Sequence, residues 1–129
     1  MYKAKLVRAS SRPTIELEIG SIGVSRACVL IMRDKAIFRV VRLHGVRNAV
    51  ANIIKQEMLS LGADATVSMW TVDCSRPRTD VLLMGTLKHY RMLIAKMRIQ
   101  AASLPSKKKI EYCAVAEELL VLLKNDLCD

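Results

Sequence analysis

Glu57 stands where a carboxylate is least expected. The stretch ANIIKQEMLSLGAD, residues 51–64, has helical spacing. At about 100° per residue, Val50, Ile53, Ile54, Met58 and Leu61 share one arc, and Glu57 falls inside it. An ionised carboxylate on a buried helix face is costly unless a donor meets it. Three readings follow: an internal ion pair with one of the 21 Lys and Arg residues, a carboxylate lining a cleft beside a sheet, or an arc that is open to solvent at Glu57.

The Met84-Gly85-Thr86 turn is the second candidate. Backbone N–H groups at a helix start, the Thr86 hydroxyl and the Lys88 ammonium are donors suited to an anion. Neither G-x-x-x-x-G-K nor G-x-G-x-x-G occurs, and a strand-to-helix turn with one glycine is usually only a turn. Asn52, Lys55 and Glu57 on the helix, with Gly85, Thr86 and Lys88 at the turn, are therefore the candidate ligand- or partner-contacting residues; none is assigned a catalytic role. Asp73 and Asp80 with Glu57 and Asp64 make no paired-carboxylate site, since their spacing guarantees no common face and no nucleophile pattern accompanies them.

Cys28, Cys74, Cys113 and Cys128 form no C-x-x-C pair, so thiols in a reducing compartment are expected. His44 and His89 follow Cys28 and Cys74 by 16 and 15 residues, which local structure would not turn into a ligand set; no metal and no cofactor is expected. Lys107–Lys109 with Arg76 and Arg78 offer positive charge for nucleic acid. Yet aromatics make up only 4% and no RNA-recognition aromatic pair is visible, so a solvated charge run is the better reading. Trp70 and Tyr90 read as core.

The elements that must position these residues follow from periodicity. Residues 2–8 suit a short strand, and 12–23 read equally as an alternating strand or as a helix opened by Pro13. ACVLIM, residues 27–32, and AIFRVVRLHG, residues 36–45, suggest a hairpin around Arg33-Asp34-Lys35. A helix over 47–61 ends at Gly62, a half-buried strand covers 65–74, and SRPRT, residues 75–79, connects it onward. VLLM, residues 81–84, reads as a strand inside a sheet; Thr86 then caps a helix over 86–100, marked by Leu87, Tyr90, Leu93, Ile94 and Met97. Residues 102–109 read as a solvated linker and 111–124 as a last helix with Val115, Leu119, Leu122 and Leu123 on its stripe.

At 129 residues and 52% hydrophobic, the chain has the size and content of one domain that buries its own core. A net charge of +9 favours anionic partners. The N-terminus lacks a signal-peptide apolar core and no run approaches the roughly 20 residues of a membrane span, so a cytoplasmic protein without membrane contact is expected.

Residues 38–90, FRVVRLHGVRNAVANIIKQEMLSLGADATVSMWTVDCSRPRTDVLLMGTLKHY, resemble the N-terminal extension found ahead of the catalytic barrel in a subset of dihydropteroate synthases, most specifically in ANIIKQEMLSLGADA and TDVLLMGTLKHY. Weaker likeness widens it to residues 14–125. In that family a (β/α)8 barrel joins a pterin pyrophosphate to p-aminobenzoate. A barrel of about 250 residues has no counterpart here, and its catalytic residues have no positions to be carried onto. The basic Arg76-Pro77-Arg78 and the lysine-rich loop depart from the family pattern.

The expectation is thus a single α/β domain over residues 1–129, with a mixed sheet packed by two main helices and a C-terminal helix. The resemblance implies a non-catalytic accessory module of folate and pterin biosynthesis, acting beside a separate synthase barrel or as a piece of a longer barrel synthase. The alternative is an independent basic protein that binds nucleic acid or a phosphorylated small molecule. No catalytic constellation supports an enzyme.

Overall fold

The computed structural model describes residues 2–127; Cys128 lies outside the described residues. Six helices and three strands follow one another as α1 (Arg12–Gly20), α2 (Arg26–Ala36), β1 (Phe38–Arg47), α3 (Asn48–Ser60), β2 (Asp64–Val67), β3 (Arg78–Thr86), α4 (Leu87–Ala102), α5 (Ser106–Leu122) and α6 (Lys124–Leu127), with a 3-10 turn at Met69–Thr71. The sheet order is β1-β3-β2, and β3 runs antiparallel to both neighbours.

This α/β arrangement is the expected one, with a sheet that is antiparallel at both pairings rather than mixed. The reason is topological. The α3 crossover leaves β1 and β2 pointing the same way, as in a parallel unit, but β3 inserts between them and separates the pair. VLLM accordingly occupies the central strand, as its continuous apolar run predicts.

Alternation fixes which face of the sheet is covered. Val41 of β1, Ala65 of β2, and Thr79, Val81, Leu83 and Gly85 of β3 are buried on one side. Against them pack Val50, Ile54 and Met58 of α3, and Leu87, Tyr90, Leu93, Ile94 and Met97 of α4; Tyr112, Val115, Ala116 and Leu119 of α5 extend the same cluster. Burying a large aliphatic side chain contributes about 1.5–3 kcal/mol, so this single cluster dominates stability. Tyr90 is fully enclosed in it, and its hydroxyl is within hydrogen-bond distance of the Arg39 carbonyl at 2.8 Å and the Leu83 carbonyl at 3.2 Å. Burial raises the phenol's pKa well above its ordinary value.

Helix ends match their sequence signals. Gly62 closes α3 at φ 85°, with Ala63 N–H donating to Met58 C=O at 2.9 Å. Thr86 caps α4 by accepting from His89 N–H at 3.4 Å, while His89 Nδ1 accepts from Thr86 N–H at 3.0 Å. Of residues 12–23, Arg12–Gly20 resolve as a helix, because Ser11 accepts from Thr14 N–H and Pro13 sits in the first turn, and 21–23 form the turn after it.

Several expectations are corrected. Residues 2–8 form no strand and are exposed. The expected hairpin strand over 27–32 is helix α2, capped by Ser25 accepting from Cys28 N–H at 3.2 Å. Only Val29 and Arg33 of α2 are buried, four residues apart on one face, so a six-residue apolar run concealed a helical period. The strand expected over 65–74 stops at Val67 because Thr79 Oγ1 takes the Ser68 N–H at 3.1 Å and the chain turns into the 3-10 segment. β3 starts earlier, at Arg78, inside the supposed 75–79 loop. Finally, the 102–109 linker shrinks to the turn ahead of Ser106; Lys107–Lys109 form the exposed first turn of α5, and Leu122 is exposed rather than on the buried stripe.

Arg39 ties the segment ahead of α1 and helix α6 to the sheet. Its guanidinium donates to the Asp126 carboxylate at 3.1 and 3.2 Å and to the Ser10 carbonyl at 2.7 Å.

Candidate functional site: the open face of the sheet

Because every covering helix packs on one side, the other face of the sheet is open. Its rows are Phe38 opposite Thr86, Val40 opposite Met84 with Asp64 beyond, and Arg42 opposite Leu82 with Thr66 beyond. Phe38 is 56% and Val40 57% exposed, two apolar side chains left open to solvent on the edge strand β1.

Towards one end this face deepens into a groove of about 500 Å3, lined by Arg42, Thr66, Trp70, Arg78, Asp80 and Leu82 among others. Each wall has a local cause. A bulge between Leu43 and Val46 interrupts the β1–β3 ladder, and Gly45 there adopts φ 62°. Asp80 Oδ1 accepts the Gly45 N–H at 3.0 Å, and Arg78 donates back to the Gly45 carbonyl at 2.8 Å. Asp80 Oδ2 also meets Arg42 and His44 Nδ1, each at 3.1 Å. The Gly45 amide is the main reason the Asp80 carboxyl is held below the usual carboxylate range, with the His44 and Arg42 contacts adding to it against the cost of desolvation.

Trp70, the sole tryptophan, forms the far wall. Its Nε1–H donates to the Arg78 carbonyl at 2.9 Å, and the Arg76 guanidinium lies 4.5 Å from the ring centroid. The loop carrying Arg76 is pinned from behind by buried Asn48, whose side-chain N–H donates to the Arg76 carbonyl and whose backbone N–H donates to Pro77 at 3.3 Å. Trp70 was expected in the core; it is half-buried at the surface because the 3-10 turn carries it off the end of β2.

Of the candidate contact residues read from the sequence, Thr86 stands at the Phe38 end of this face and the others lie elsewhere. Glu57 is the structural ion pair: its carboxylate meets Lys96 Nζ at 3.0 Å and accepts from Gln100 at 2.9 Å. Its side chain is 20% exposed, at the edge of the α3–α4 contact. Asn52 is exposed and Lys55 half-buried on α3, Lys88 is exposed on α4, and no shared hydrogen bond joins any of the three to Glu57 among the described residues. At the β3–α4 turn two of the backbone donors suited to an anion are already used: Leu87 N–H donates to the Ile37 carbonyl at 3.0 Å and His89 N–H to Thr86. Gly85 is buried against Ala63 and His89, with no room left for a ligand.

The four carboxylates do not assemble. Asp64 accepts from Ala65 N–H at 2.7 Å, and Asp73 from Ser75 N–H at 3.0 Å, while Glu57 and Asp80 keep the partners above. Among the described residues no hydroxyl or thiol hydrogen-bonds to His44, so the His44–Asp80 pair lacks a nucleophile. No three His, Cys, Asp or Glu side chains gather to hold a metal ion among them, and Cys28, Cys74 and Cys113 are free thiols. Among the described residues no helix is long and apolar enough to cross a membrane.

Sequence reading passed over Phe38, Val40 and Arg42. One signal was present: β1 carries apolar residues on both faces, Val41 and Leu43 inward and Phe38 and Val40 outward, whereas a solvated face would alternate polar. The chain matches no protein-family model, and neither a curated protein nor a solved structure is similar to it at a significant level.

Proposed function

We propose that this chain is a non-catalytic binding module whose working surface is the open sheet face, and that it takes a phosphorylated ligand bearing a flat ring. One observation carries the reading: the groove sets two exposed arginines, Arg42 and Arg78, beside an indole and an apolar floor, in a protein of net charge +9. Arginine forks suit phosphate oxygens, and Trp70 and Leu82 suit a ring. Nothing in the groove is placed to break a bond.

Trp70 being the sole tryptophan, its emission reports on the groove directly. Titration with a nucleoside monophosphate, and separately with inorganic pyrophosphate, should give saturable quenching that the Arg42→Ala, Arg78→Ala double substitution weakens at least tenfold. An unchanged spectrum up to millimolar nucleotide rejects the reading.

A second reading keeps the module non-catalytic but makes it an accessory beside a separate dihydropteroate synthase barrel, with a place in folate biosynthesis. Its support is the resemblance of residues 38–90, and the two stretches that carry that resemblance most strongly pack against each other, Ala63 within 3.2 Å of a Cβ built at Gly85. Co-elution with a barrel synthase lacking its own extension tests it; separate peaks at micromolar concentration reject it.

A further inference from the structure

The groove is one end of a longer surface. The chain has one Phe, one Trp and three Tyr. Tyr90 and Tyr112 are buried, and Tyr2 belongs to the exposed segment ahead of α1. The remaining two rings, Phe38 and Trp70, both lie on the open sheet face, at its opposite ends. Phe38 faces Thr86 in register, while Trp70 is bonded to Arg78 at the other end of β3. The eight residue steps from 78 to 86 put the rings about 27 Å apart at about 3.4 Å per step. A mononucleotide in the groove cannot reach both.

Between the rings, Val40, Leu82 and Met84 make an apolar floor. Arg42 rises from the middle row, and Arg76 and Arg78 flank Trp70. Two carboxylates share the face. Asp80 is already satisfied by Gly45, Arg42 and His44, and Asp64 is confined to the β2 edge, which leaves the β1–β3 side as the route for an anion. Two stacking platforms, an apolar floor and arginines along one edge are what a flexible polyanion with flat side groups requires.

We infer that the open sheet face binds single-stranded nucleic acid, with successive bases stacked from Trp70 towards Phe38 and the phosphates beside Arg42, Arg76 and Arg78. This inference rests on the ligand-binding reading above and extends it from one groove to the whole face. Reading is sequence-tolerant, because every base has a ring face and no side-chain amide is set here to read a base edge.

The test is fluorescence anisotropy of labelled pyrimidine octanucleotides between 50 and 200 mM salt, run beside the mononucleotide quenching titration. The octanucleotide should bind at least tenfold tighter than the mononucleotide and tighter than a duplex of the same sequence. Three phosphate contacts predict a log–log salt slope of about −2. Phe38→Ala should weaken the octanucleotide by about tenfold, and Phe38→Tyr should restore it. Neither should alter mononucleotide quenching or the urea midpoint, Phe38 being half exposed and remote from the groove. If the mononucleotide binds as tightly as the octanucleotide and Phe38→Ala is silent, the inference fails while the groove reading stands. If neither ligand binds, both fail. Equal displacement by polyglutamate of matched charge overturns the nucleic-acid assignment in favour of an acidic protein segment.

Discussion

Glu57 shows how much of a residue's role is local and how much is not. Its place on the apolar arc of α3 is readable from spacing, and the need for a donor follows from the cost of burying charge. The identity of that donor, Lys96, depends on α4 crossing α3 at one depth, which no local pattern specifies. The Lys96 side chain is 40% exposed, so the pair belongs nearer the surface scale than the buried one. Glu57→Ala should therefore cost about 1 kcal/mol, and Glu57→Gln less, since an amide oxygen still accepts from Gln100. Urea unfolding of both variants checks this, and a loss above about 3 kcal/mol would mean a fully buried pair. Asp80 gives a pH dependence of definite sign. Its folded pKa lies below the unfolded value of about 3.9, chiefly through the Gly45 amide, so its stabilisation is complete above that value and is lost as pH falls through the folded one. Asp80→Asn keeps an acceptor for Gly45 but cannot titrate, so stability should fall less steeply below about pH 4 than in the unsubstituted protein. Glu16, lowered first by its hydrogen bond to Arg33, shifts the same way and leaves a residual slope. Parallel urea-midpoint curves for the two proteins would remove Asp80 from the account.

At the scale of elements, α3, β3 and α4 were legible because each couples a clear period to a terminal signal: Gly62 after α3, and Thr86 between β3 and α4. What escaped were segments decided by tertiary contacts. α2 exposes Leu30, Ile31 and Met32, so its apolar run reports composition rather than a buried face. β2 ends where a Thr79 hydroxyl captures one amide, an event invisible in the ATVSMW alternation. The open face escaped too, because Phe38 and Trp70 lie far apart in sequence and come to share one face only through the β1-β3-β2 order. The β3–α4 junction carries the sharpest packing constraint. A Cβ at Gly85 would stand 3.1 Å from His89 Cβ and Nδ1 and 3.2 Å from Ala63 Cβ, tighter than ordinary contact. Gly85→Ala must push on the capping box and on the α3 exit together, and should destabilise by about 1–3 kcal/mol. Thermal unfolding would show it, with Gly20→Ala, which meets nothing within 4 Å, as the comparison.

For the molecule as a whole, the helices and sheet form one layered body with its chemistry-bearing side chains on the uncovered face. With no nucleophile beside the His44–Asp80 pair and no barrel to hold a pterin, the purified chain should give no dihydropteroate synthase turnover above a protein-free control when supplied with both substrates and magnesium. Turnover lost on substituting residues of this chain would contradict that. The same layering gives the Arg39 clamp a practical meaning. Arg39 sits on β1 opposite buried Gly85, on the helix side of the sheet, and it holds Ser10 and Asp126 there together. Whatever is joined to the chain before Ser10 or after Asp126 therefore starts from the side away from Phe38 and Trp70. Immobilised on a solid support through a linker placed after Asp126, the protein should present its aromatic face outward to the passing solution.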